Sequence, residues 1–193
     1  MKPLIGVIII TLIIAVTAVI FFSQESEREE VGSPAQDIKQ VNNQNMLLVS
    51  PSFGHGENIP SKFTCDGGNI NPELHILNVP AEAKSLALIM DDPDAVGGRT
   101  FTHWLVWNID PKTEVIKQES VPPGAREGQN DAGKIGYLGP CPPDKKPHRY
   151  FFKLYALNDS FVETESIRDR ATLESIVNGL LIEKAELIGI YER

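Results

Sequence analysis

Five stretches of the chain set short apolar runs between clusters of Gly, Pro, Asn and Asp. They are Leu47-Leu48-Val49, Leu74-His75-Ile76, Ser85 to Met90, Thr102 to Ile109, and Arg149 to Leu157. Runs of this length bounded by turn residues predict strands. A different period begins at Thr172: Leu173, Ile176, Val177, Leu180 and Leu181 fall on one face of a helix, with Thr172 as its cap. Glu186 to Tyr191 then predicts a closing strand. Many strands, one helix and no strict strand-helix alternation predict a mainly β domain, an antiparallel sandwich with a peripheral C-terminal helix.

The N-terminal pattern is unlike either period. Leu4 to Phe22 carries no charge and is apolar on every face. At about 1.5 Å per residue it would span roughly 28 Å, the thickness of a bilayer's hydrocarbon core. It predicts a transmembrane helix over residues 1–22, retained as a signal anchor, because the small-residue pattern Ala15-Val16-Thr17-Ala18 lies inside the run instead of after it. The alternative is a cleaved signal that releases a secreted or periplasmic domain. Lys2 before the run and Glu25, Glu27, Glu29 and Glu30 after it place the N-terminus inside and the folded part outside the cytoplasm. Residues 23–45 are polar and too poor in apolar residues to fold alone, so they predict a disordered tether. Residues 46–193 are enough for one hydrophobic core.

A net charge of −8, with no basic stripe, argues against nucleic acid, whose binding relies on Lys and Arg neutralising phosphates. Cys65 and Cys141 are far apart in sequence. In an outward-facing domain they are compatible with one disulfide; two unpaired buried thiols are the other reading.

The candidate chemistry lies in two places, Asp91-Asp92-Pro93-Asp94 leading to His103, and Gly139-Pro140-Cys141-Pro142-Pro143 leading to His148-Arg149-Tyr150. In an extended chain His148 and Tyr150 share a face, and Asp92 and Asp94 can project together. The stretch Pro122 to Pro147 is rich in glycine, lacks an apolar period and runs straight into His148. A loop that long in a compact domain is usually functional or disordered. No Gly-x-Ser-x-Gly elbow supplies a nucleophile, and no His-x-x-x-His pair supplies a strong metal signal, so neither catalysis nor a metal or other cofactor is expected. Imidazoles, a phenol and loop amides can instead cradle an anion. Two carboxylates beside an anion require a reason. A zwitterion such as phosphoethanolamine, its ammonium toward Asp92 and Asp94, would provide one.

In these residues the chain resembles the phosphatidylethanolamine-binding protein family, in particular its prokaryotic YbhB/YbcL branch of Raf kinase inhibitor-like proteins. The resemblance covers Leu47 to Arg193 and rests on Phe63 to Gly67, Asp92-Pro93-Asp94-Ala95, Thr102-His103-Trp104, Asn130-Asp131 with Gly133 to Tyr137, Gly139 to Pro143, His148 to Leu157, and Ala185 to Tyr191. It implies a β-sandwich with a small pocket for phosphate-type anions or phospholipid headgroups, formed by Asp92, Asp94, His103, Gly139, His148 and Tyr150. Two positions depart from the family pattern: Val96 stands where a proline is common, altering the rim, and Ala132 replaces an aromatic, opening the entrance. Kinase inhibition, serine protease inhibition and lipid binding all occur in the family, and a fold cannot choose between them. A kinase target does not suit an outward-facing domain. Protease inhibition through surface loops is the alternative to ligand binding, with an unrecognised hydrolase behind it.

Overall fold

The computed structural model describes residues 45–161, 167 and 169–193. The expected membrane helix over residues 1–22, and the tether up to residue 44, lie outside the described residues. Among the described residues no helix is long and apolar enough to cross a membrane.

Nine strands and one α-helix follow in chain order among those residues. They are β1 (Leu47–Val49), β2 (Glu57–Asn58), β3 (Leu74–Leu77), β4 (Ser85–Asp92), β5 (Phe101–Ile109), β6 (Val115–Ile116), β7 (Arg126–Glu127), β8 (His148–Leu157), α1 (Arg170–Leu180) and β9 (Leu181–Tyr191). A three-stranded sheet runs β1-β3-β6 and a six-stranded sheet β2-β9-β8-β4-β5-β7. The expectation of a wholly antiparallel sandwich needs correction. The short edge strand β2 pairs with β9 in parallel, Glu57 opposite Gly189, so the larger sheet is mixed.

The alternation along β4 shows how the layers form. Leu86, Leu88 and Met90 face a core shared with Leu48, Leu74, Ile76 and Ile116 of the small sheet. Ala87 and Ile89 face the opposite way, against Leu173 and Val177 of α1. With both faces covered, every residue of β4 is buried, and such a strand reads as a continuous apolar run. The helix is therefore a third layer and more than a peripheral addition. Asp91, on the helix side, is fully buried and accepts from Lys153 Nζ at 2.6 Å and Arg170 at 2.7 Å. One residue later the strand turns Asp92 to the other face, toward the site described below.

The helix begins earlier than its apolar period. Asp169 is the cap, its carboxylate accepting from the Thr172 amide at 2.8 Å, in place of the expected Thr172. It also ends earlier. Leu181 is extended and pairs with Leu157, so it opens β9 and leaves the helix face. Partnership with the long strand β8 overrides the local helical period there, and β9 runs five residues further upstream than Glu186.

Candidate functional site

Strands β4, β5 and β8 are neighbours, and the start of β8, the end of β4 and the start of β5 meet at one rim. Asp92, His103, His148 and Tyr150 come from those ends and share a cavity of about 310 Å³. Phe101 and Leu138 line it with them, and Val96, Pro142 and Pro143 stand at its edge. Two of the expected ligand residues are elsewhere. The Asp94 carboxylate does not line the cavity; it is held by Arg149, with Nε and Nη2 each at 2.7 Å and the Arg149 amide at 3.0 Å. Gly139 is buried behind the wall, its amide donating to Asn69 Oδ1 at 2.7 Å. A Cβ there would lie 2.5 Å from the Phe63 carbonyl oxygen and 2.8 Å from Thr64 Cα, so only glycine fits between these backbones.

Asp92 is saturated. One carboxylate oxygen accepts from the Asp94 amide at 2.8 Å and the other meets His148 Nδ1 at 2.7 Å. Each of the two carboxylates expected to face an ammonium already has a partner inside the protein, His148 for Asp92 and Arg149 for Asp94. His148 Nε2 is engaged as well, by Asp144 Oδ1 at 3.1 Å. Burial opposes charge on His148, but the hydrogen bond and attraction from Asp92, with those of Asp144, outweigh it and hold the imidazole above its usual range. This ring is the site's positive charge.

His103 has the opposite setting. Its Nδ1 contacts the Leu138 carbonyl at 2.7 Å, and its own carbonyl accepts from the Leu138 amide at 3.0 Å. Burial holds its pKa below the ordinary value, only partly offset by the Leu138 contact and by Asp92, Asp91 and Asp131. Among the described residues nothing hydrogen-bonds its Nε2. Tyr150 stacks beside His148 and meets the edge of His103, with ring centroids 6.5 and 5.2 Å away. Its hydroxyl is buried without a partner; the Cys141 amide faces it but closes no hydrogen bond. Burial and the nearby Asp92 charge raise the phenol's pKa far above neutrality, so it remains a donor.

The glycine-rich stretch is pinned by the Asn130 and Asp131 side chains and by backbone bonds within it and to β5. Asn130 Oδ1 accepts from the Ala132 and Lys134 amides, its Nδ2 donates to the Gly136 carbonyl, and Asp131 exchanges bonds with Thr102. The amides of Gly128, Gly133, Gly136 and Gly139 are all used in this way or against Asn69. These four amides are therefore not turned to the cavity. The loop delivers Leu138 to His103. Ala132 is exposed and off the cavity, whereas Val96, 61% exposed, does shape its edge. No cis peptide occurs among the described residues.

A disulfide joins Cys65 to Cys141, with Cα atoms 5.4 Å apart, and Cys141 forms part of the cavity wall. No group of three or more His, Cys, Asp or Glu among the described residues is placed to hold a metal ion. Sequence reasoning missed Asp144 and Leu138. Asp144 carried a faint signal, an acid four residues before a histidine in a loop; the Leu138 carbonyl is a backbone group and carried none.

Residues 49–192 match the family described as phosphatidylethanolamine-binding protein. The chain belongs to that family. It is 47% identical over 154 residues to a UPF0098 protein of Pyrococcus horikoshii, covering 76% of this chain and 77% of the relative. Among solved structures it is similar to a phosphatidylethanolamine-binding protein homologue of Chlamydia trachomatis, with TM-score 0.72, 39% identity, and coverage of 77% of this chain and 98% of that one. It is also similar to YbcL of E. coli, with TM-score 0.73, 32% identity, and coverage of 78% and 99%. The family and its mainly β fold with one C-terminal helix are thereby shown.

Proposed function

We propose that this phosphatidylethanolamine-binding protein family domain holds small phosphate-type oxyanions, free or as part of a headgroup, between His103, His148 and Tyr150, and does not transform them. The Tyr150 hydroxyl carries this reading. It is a fully buried donor without an acceptor, at the wall of a cavity large enough for a tetrahedral anion. An unpaired buried donor costs about 1–3 kcal/mol, and a phosphate oxygen would relieve it. The His148 imidazolium adds attraction at close range. The lining holds no serine, threonine or lysine, and its cysteine is in a disulfide. With Leu4 to Phe22 as an anchor, the pocket would work at the outer face of a membrane.

Calorimetry on the full chain in detergent, titrated with inorganic phosphate, tests the reading. Saturable binding is expected, weakened about tenfold or more by Tyr150→Phe, since a hydrogen bond to a charged group is worth about 1.5–3 kcal/mol. No binding, or binding that ignores the missing hydroxyl, overturns it.

A further inference from the structure

The cavity's unpartnered polar atoms differ in hydrogen-bonding sense, and the Cys141 amide is a donor at the wall beside Tyr150. Tyr150 is a donor. At His103 the sense follows from the groups around the ring. The Leu138 carbonyl at 2.7 Å is only an acceptor, so the ring nitrogen that meets it, Nδ1, must carry the hydrogen. Only 4% of His103 is exposed, and no carboxylate hydrogen-bonds its ring, so nothing adjacent fixes a second proton on it. The neutral ring then turns a bare lone pair on Nε2 to the cavity.

A cavity that sets one acceptor among its donors does not complement a fully deprotonated oxyanion. Such an ion satisfies Tyr150, but its remaining oxygens oppose the Nε2 lone pair. An oxyanion that keeps one O–H matches both atoms, with P–O⁻ accepting from Tyr150 and P–OH donating to His103. We propose that the pocket selects oxyanions that retain a P–OH, namely hydrogen phosphate or a phosphomonoester monoanion, and discriminates against sulfate and phosphodiesters. This rests on the oxyanion reading given above and narrows it. The phosphodiester of an intact phospholipid becomes the poorer ligand, and free phosphate or a monoester headgroup the better one. Sites built around hydrogen bonds reject analogues lacking the matching group far more strongly than apolar pockets reject a change of size.

Sulfate is the decisive probe, because near pH 7.5 it has the shape and charge of hydrogen phosphate without the proton. Calorimetry on the full chain in detergent at about pH 7.5 is expected to show phosphate binding at least about tenfold tighter than sulfate. A second arm compares methyl phosphate with dimethyl phosphate at about pH 6, where a monoester is about half monoanion; the monoester is expected to bind tighter by a similar factor, and it reports whether an esterified source is accepted. Equal affinities for phosphate and sulfate, or tighter sulfate, overturn the selectivity while leaving the oxyanion pocket standing. Absence of binding by all four ions overturns the oxyanion reading itself. In His103→Gln, whose amide can donate, the phosphate-to-sulfate ratio is expected to fall toward one; an unchanged ratio removes the assignment to His103. The wild-type comparison requires no variant and decides the selectivity by itself.

Discussion

At the scale of single residues, function and stability pull in opposite directions at Tyr150. Its ring is packed in the main core, yet its hydroxyl is buried without a partner. A purely structural tyrosine would lose stability when its hydroxyl is removed. Here the hydroxyl is an unsatisfied donor in the empty domain, and replacing it by hydrogen removes a penalty of about 1–3 kcal/mol. Tyr150→Phe is therefore expected to melt at the same temperature as wild type or higher in the absence of ligand, while its phosphate affinity falls. Denaturant unfolding in phosphate-free buffer checks the first half. A clear loss of stability would mean that the hydroxyl has a protein partner and is not held in reserve for a ligand.

At the scale of elements, the segment just before β8 controls what can reach His148. Its Nδ1 belongs to Asp92, so Nε2 is the only ring N–H that an anion could use, and Asp144 already holds it. Asp144 is on a loop, its side chain 27% exposed, and can leave where Asp92 cannot. Asp144→Asn removes a negative charge from the mouth and weakens the internal competitor; a severalfold gain in phosphate affinity is expected by calorimetry, and unchanged affinity would show that the anion never approaches Nε2. The other constraint on this segment is the cystine, which closes a sequence separation of 76 residues and ties Cys141 to the turn at Cys65. Replacing both cysteines by alanine is expected to cost about 2–4 kcal/mol in denaturant unfolding and to loosen the wall beside Tyr150, weakening phosphate binding. The five apolar runs were legible because period and punctuation agree in them. The two-residue strands β2, β6 and β7 were not, since Glu57–Asn58, Val115–Ile116 and Arg126–Glu127 are strands only because a neighbour's ladder accepts them. The same limit applies at the site. His103, His148 and Tyr150 were readable as residue types at strand ends, while the partners that occupy Asp94 and Gly139 depend on side chains and backbones brought in from elsewhere in the fold.

At the scale of the whole molecule, two histidines on one cavity give stability opposite slopes with pH. Burial pushes His103 below the ordinary value of about 6.5. Burial also opposes charge on His148, but Asp92 and Asp144 prevail and raise it. A raised folded-state pKa means that the native state binds the proton more tightly than the unfolded chain. The His148 contribution is thus fully present below about pH 6.5 and lost as pH rises through its folded pKa. For His103 the native state binds the proton less tightly, so its contribution is present above about pH 6.5 and lost as pH falls through its folded pKa. Thermal unfolding of the full chain between about pH 5 and about pH 8 separates the two. The stability gap between wild type and His148→Asn is expected to close toward the alkaline end, and the gap between wild type and His103→Asn to close toward the acid end. Parallel profiles for all three proteins would show that neither histidine changes its proton affinity on folding. A gap for His103→Asn that widens in acid would mean that its ring is charged in the native state, which would remove the lone pair on which selection for a P–OH depends.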